Sequence, residues 1–134
     1  MPHPIRILVV EDFEPVRRFL CSVLQNGSGL EIVGEVSDGL EATRQAEILQ
    51  PDLILLDIGL PTLNGIEAAR RIRKLVPQSK IIFVSQESSP DIVQEALSLG
   101  VWGYVLKTRV TTDLLAAVDA ARLGRQFSGA GPCQ

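Results

Sequence analysis

The chain has 134 residues, of which 46% are hydrophobic and 22% charged, and it carries a formal charge of −3 with a pI near 5.1. That length suits one domain with a core of its own, and the composition is globular rather than disordered or fibrous. The acidic balance argues against a broad basic surface for nucleic-acid phosphates, so no direct nucleic-acid binding by this chain is expected.

The first apolar run, residues 5–10, is stopped by Glu11 and Asp12. It is too short for a signal-peptide core or a membrane span, which makes a cytoplasmic protein without membrane association the expectation. Val16, Phe19, Leu20, Val23 and Leu24 then recur at helical spacing, with Pro15 suited to a first turn. A second run spans 32–36. After it, Asp38 with Glu41 three residues later forms a capping-box pattern, which opens a helix through Ala42, Ala46 and Leu49 before Pro51 ends it.

The third run is 53–56. Asn64 and Glu67 repeat the capping pattern and open a helix along Ile66, Ala69, Ile72 and Val76, ended by Pro77. A fourth run at 80–84 precedes Ser89-Pro90, which opens a helix through Ile92, Val93, Ala96 and Leu97 with Gly100 as its stop. A fifth run at 102–106 leads to a last helix from about Thr112 to Gly124. Residues 1–124 are thus expected to form the domain, and 125–134, rich in Gly and Ser, a flexible tail or the start of a linker.

Most of these runs are continuous rather than alternating, as in strands covered on both faces. Five strands alternating with five helices predict a parallel sheet with right-handed crossovers and helices on both sides. The expected fold is α/β, a flavodoxin-like (βα)5 three-layer sandwich with strand order 2-1-3-4-5. Its ligand site should lie beyond the carboxyl ends of the strands, near the switch point between strands one and three.

Polar residues gather at those ends: Glu11-Asp12, Asp57, Ser85 and Lys107. Three carboxylates in one pocket repel one another unless a cation or base compensates. Mg²⁺ suits such a place, since it takes hard oxygen ligands from a few carboxylates, water and phosphate. Other chemistry-bearing residues read as structural. Cys21 and Cys133 form no metal or disulfide pattern, His3 has no companion ligand, Trp102 reads as packing, and the basic run 70–74 reads as a solvated helix face.

The sequence resembles the receiver domain of two-component response regulators. The resemblance rests on V-V-E-D at positions 9–12, P-D-L-I-L-L-D-I-G-L-P at 51–61, N-G at 64–65, Ser85, and G-Y-V-L-K at 103–107. It implies phosphorelay signalling in which Asp57 accepts a phosphoryl group from a sensor histidine kinase. It further implies Mg²⁺ or Mn²⁺ held by Asp12 directly, by Glu11 mainly through water, by Asp57 and by the backbone carbonyl of Gly59. Ser85 and Lys107 match the hydroxyl and ammonium that contact the phosphoryl oxygens. Tyr104 matches the aromatic residue whose orientation reports the switch, on a face built from the fourth helix, fifth strand and fifth helix.

The resemblance implies a signalling domain that assists its own phosphorylation and dephosphorylation, rather than an enzyme with an external substrate. D-I-G-L-P and N-G-I-E-A-A are most like receivers that precede a helix-turn-helix output domain, which implies control of transcription, with either homodimerisation on phosphorylation or altered docking of the output domain as the outcome of the switch. A stand-alone receiver and a phosphorylation-independent interaction module are the alternatives. Gly59 stands where a haloacid-dehalogenase-like phosphatase has a second acid, and Glu11 and Asp12 would repel the phosphate of a flavodoxin cofactor. Lys107 is followed by Thr108 where many receivers have proline, and a cis bond without proline costs about 2.5–4 kcal/mol.

Overall fold

The computed structural model describes residues 3–129. Its elements are β1 (Ile5–Val10), α1 (Glu14–Gln25), β2 (Leu30–Val36), α2 (Gly39–Leu49), β3 (Leu53–Leu56), α3 (Gly65–Leu75), β4 (Lys80–Ser85), α4 (Pro90–Ser98), β5 (Gly103–Leu106), a 3-10 turn (Lys107–Arg109), α5 (Val110–Arg122) and β6 (Phe127–Ser128). The strands form one parallel sheet in the order β2-β1-β3-β4-β5-β6. This is the expected flavodoxin-like order with one strand added.

The continuous apolar runs have a plain cause. Side chains alternate between the two sheet faces, so a strand covered on both sides is apolar at every position. Leu8, Val10, Ile54, Leu56, Ile81 and Phe83 point into the layer shared with α2, α3 and α4. Ile7, Val9, Leu53, Leu55, Ile82 and Val84 point into the layer shared with α1 and α5. The helices meet the sheet through small residues, among them Ala42, Ala46, Ala68, Ala69, Ala117 and Ala121, all fully buried. Burying a Leu or Ile side chain contributes roughly 1.5–3 kcal/mol, so these two layers are the main source of stability.

Local signals act as the sequence indicates at two helix starts. The Asp38 carboxylate accepts from the Glu41 N–H at 2.7 Å, and the Asn64 side-chain oxygen accepts from the Glu67 N–H at 3.0 Å. Ser89 precedes α4 without a side-chain cap bond, and Pro90 alone marks that start. Gly100 and Gly124, at φ of +82° and +74°, follow α4 and α5 in the left-handed region that stops a helix.

Three differences from the sequence reading have physical reasons. Helix α5 begins at Val110, ahead of Thr112, because a 3-10 turn feeds directly into it. Strand β2 begins at Leu30, where pairing with Ile5 extends the ladder. Finally, Phe127–Ser128 forms a sixth strand within the stretch read as tail or linker. The Phe127 N–H donates to the Trp102 carbonyl at 2.9 Å and the Gly129 N–H to the Tyr104 carbonyl at 3.0 Å, while Phe127 packs against the α1/α5 core layer. Two residues are too few to carry a periodic pattern, so only the tertiary pairing reveals them. Residues 130–134, including Cys133, lie outside the described residues.

Among the described residues no helix is long and apolar enough to cross a membrane. No peptide bond among them is cis, so the Lys107–Thr108 bond is trans.

Candidate functional site

Strand register assembles the site. Val10 pairs with Leu56, so the next residues, Glu11 and Asp57, leave the sheet side by side. The Asp57 N–H donates to the Val10 carbonyl at 3.1 Å and continues that ladder by one bond. Ser85 pairs with Leu106, which delivers Lys107 one residue beyond. Glu11, Asp12, Asp57, Gly59, Ser85 and Lys107 all line one cleft of about 500 Å³ at the carboxyl edge of the sheet.

The loop after Asp57 is shaped by the Asn64-Gly65 pair. The Gly65 N–H donates to the Ile58 carbonyl at 2.7 Å. A Cβ at Gly65 would stand 2.0 Å from the Asp57 carbonyl oxygen, a distance no side chain can occupy. Glycine therefore lets the start of α3 press directly on the main chain that carries Asp57. The Gly59 N–H donates to Asp57 Oδ1 at 3.3 Å from the same loop.

The electrostatics centre on Lys107. Its Nζ lies 2.9 Å from Glu11 Oε1 and 3.4 Å from Asp57 Oδ2, with Glu11 fully buried and Asp57 5% exposed. Burial raises the Glu11 carboxyl above its ordinary pKa of 4.5, against the Lys107 ammonium and the Phe13 N–H, which pull it down. Burial opposes the charge on Lys107 too, but Glu11 and Asp57 together outweigh it and hold the ammonium above its ordinary 10.5.

Glu11, Asp12 and Asp57 each offer a ligand atom within 4.8 Å of the others. Glu11 Oε2 accepts from the Phe13 N–H at 3.1 Å, whereas buried Oε1 has a charge contact with Lys107 but no aligned hydrogen bond. An unfilled lone pair on a buried carboxylate, beside two further acids, fits a hard cation or one of its waters. The acidic cluster can therefore hold a metal ion.

Ser85 and Tyr104 meet through a residue that sequence reasoning missed. Buried Ser85 Oγ accepts from the Glu87 N–H at 3.0 Å. Tyr104 Oη donates to the Glu87 carbonyl at 2.7 Å. The Tyr104 ring is fully buried, its centroid 6.2 Å from that of Phe83. In this structure the ring lies inward. Glu87 acts through its main chain, which leaves no mark in a sequence. Sequence reasoning also missed Arg17, whose side-chain Nη1 donates to the main-chain carbonyl of Glu11 at 2.9 Å.

Residues read as structural stay outside the site. Trp102 packs on the α1/α5 layer beneath Lys80 Nζ, 4.7 Å from its ring centroid. Arg70 pairs with Glu67 and Glu95, and Arg71 with Glu67, on an exposed helix face. His3 is exposed, and Cys21 is buried and unpaired.

Known proteins share this fold. The family described as "Response regulator receiver domain" matches residues 7–119. The response regulator protein VraR of Staphylococcus aureus is 40% identical over 120 residues, covering 90% of this chain and 57% of that protein. VraR of Staphylococcus saprophyticus is 36% identical over 115 residues, covering 86% and 55%. The chain thus spans about half the length of these curated relatives. The signal receiver domain of the response regulator NarL from Mycobacterium tuberculosis superposes with a TM-score of 0.86 at 29% identity, covering 92% of this chain and all of that one. A LuxR-family two-component response regulator from Aurantimonas gives 0.88 at 30% identity, covering 92% and 89%. Fold, strand-end acids and sequence agree: the chain belongs to the receiver domains of two-component response regulators, which are signalling domains.

Proposed function

We propose that Asp57 accepts a phosphoryl group from a phosphohistidine of a sensor histidine kinase, with Mg²⁺ or Mn²⁺ held by Glu11, Asp12, Asp57 and the Gly59 carbonyl. The observation that carries this reading is the position of Lys107 Nζ, 3.4 Å from Asp57 Oδ2 in a pocket whose three acids offer ligand atoms within 4.8 Å. A carboxylate cannot approach an anionic phosphoryl group unless positive charge meets the equatorial oxygens.

In the transfer, an Asp57 carboxylate oxygen bonds to phosphorus while the P–N bond breaks, and the bonding pair stays on the imidazole nitrogen. Asp57 becomes an acyl phosphate. Bound at the acid cluster, the divalent cation supplies positive charge to the phosphoryl oxygens. From the other side Lys107 moves off Glu11 toward the new charge, and the Ser85 O–H donates to a phosphoryl oxygen.

Phosphorylation then holds a conformation that is already accessible. The buried Tyr104 ring and the Glu87 peptide that joins it to Ser85 form the moving part, and modification biases the inward state by the extra bonds it makes there. Residues 1–124 act as the phosphoacceptor unit in the cytoplasm. Its α4-β5-α5 face passes the signal on, through homodimerisation and an output domain that controls transcription, without itself touching nucleic acid.

The test is incubation with Mg²⁺ and phosphoramidate, read by intact mass. The expected result is one phosphoryl group on the wild type and none on Asp57→Asn. Equal modification of both would overturn the assignment.

A further inference from the structure

We propose that Arg17 is a positioning residue for the metal-binding acids, holding the main chain of Glu11 so that the Asp12 carboxylate converges on those of Glu11 and Asp57. This rests on the metal site proposed above. Arg17 lies in α1, one turn into the helix, where its N–H donates to the Phe13 carbonyl at 2.9 Å. Its side chain, only 19% exposed, runs back toward the sheet. There Nη1 donates to the Glu11 carbonyl at 2.9 Å while Nε pairs with Glu35 Oε1 of β2 at 3.3 Å. One guanidinium thus bridges β1, α1 and β2 at the loop that presents the acids.

The loop needs such a brace. The Glu11 N–H makes the last ladder bond of its strand, to the Val36 carbonyl at 3.0 Å. Beyond it the chain turns through Asp12 and Phe13 into α1, and the Glu11 carbonyl has left the sheet. Without Arg17 that carbonyl would turn to water and the Glu11–Asp12 peptide could rotate. Glu11 itself would stay anchored, through the Phe13 N–H and Lys107. Asp12 would not: it is exposed, and no hydrogen bond to its carboxylate is found among the described residues. Its carboxylate inherits its position from the main chain, so losing the brace should show first as metal affinity.

The fork geometry of arginine suits this task, since two different N–H groups serve two acceptors at once. Partners that orient metal ligands without touching the metal typically change affinity by 10–100-fold when removed. Arg17→Met keeps the apolar stem and its packing but removes every donor. Arg17→Lys restores one donor and the charge.

The experiment is calorimetric titration of Mg²⁺ into the unphosphorylated wild type, Arg17→Met and Arg17→Lys, with circular dichroism as the fold check. The expected result is a Kd raised about tenfold in Arg17→Met at unchanged circular dichroism, with most of the loss recovered in Arg17→Lys. A Kd in Arg17→Met equal to that of the wild type would overturn the inference and leave the metal site standing. No Mg²⁺ binding by the wild type would overturn both. Should Arg17→Met fail to fold, Glu35→Ala decides, because it removes the outer anchor of the guanidinium and leaves the acid cluster itself intact. A raised Kd there supports the brace, and an unchanged one overturns it.

Discussion

Tyr104 donates its hydroxyl to the main-chain carbonyl of Glu87 at 2.7 Å, so a ring inside the core is tied to the loop that lines the acidic cleft. The amide of the same residue donates to Ser85 Oγ at 3.0 Å. Tyr104→Phe should cost about 1 kcal/mol, because Glu87 is exposed and water can replace the lost donor. Urea denaturation gives that value. The Glu87 amide should shift in NMR spectra of both Tyr104→Phe and Ser85→Ala, and a fixed resonance in both would separate this loop from the switch.

Lys107→Ala tests the charge balance. Glu11 is fully buried and its carboxylate would lose its only ion-pair partner among the described residues, a change that typically costs about 3 kcal/mol at neutral pH. The Glu11 carboxyl already sits above its ordinary pKa, and without Lys107 it rises further. A carboxyl whose folded pKa exceeds its unfolded one destabilises as pH rises through the folded value. The gap between variant and wild type should therefore narrow as pH falls from 7 toward 5. A gap that widened on acidification would contradict this account of Glu11.

Gly65→Ala probes the contact beneath the Asp57 main chain. The added Cβ would meet the Asp57 carbonyl at 2.0 Å, and backbone cannot yield as a flexible side chain can. The expected cost is about 2–3 kcal/mol, in the range of overpacked cores. Phosphorylation from phosphoramidate should slow as Asp57 is displaced. Full rate and full stability would show that α3 can back away without consequence.

Much of this was legible because it is local or periodic. Apolar runs at strand spacing, the caps at Asp38 and Asn64, and Pro51 and Pro77 as stops each depend on a few adjacent residues. The five chemistry-bearing positions could be read together because strict βα alternation sends every strand end to one edge. What escaped depends on tertiary partners. Strand β6 exists because Trp102 and Tyr104 offer carbonyls to it, and the roles of Glu87 and Arg17 run through backbone atoms. The inward state of Tyr104 is a choice between rotamers, and a sequence lists neither.

Cys21 should be a poor nucleophile in the native state. Burial, with Glu35 nearby, pushes its thiol from the ordinary 9.0 up to about 11. At pH 8 its thiolate fraction is then on the order of 100-fold below that of a free thiol. Iodoacetamide labelling followed by peptide mass spectrometry should find Cys21 slow in native protein and fast in urea. The sign for stability follows, since the folded state keeps the proton longer. Stability from this group is present below pH 9 and is lost between pH 9 and about 11.

The phosphoryl group is expected to reside on the Asp57 carboxylate as an acyl phosphate. Borohydride reduces an acyl phosphate to an alcohol and leaves a serine or threonine ester untouched, so it separates Asp57 from the neighbouring Ser85. Wild-type protein phosphorylated with Mg²⁺ and phosphoramidate, reduced and digested, should yield homoserine at position 57 and nowhere else. Homoserine at position 12, or a phosphate on Ser85 that survives reduction, would contradict the account.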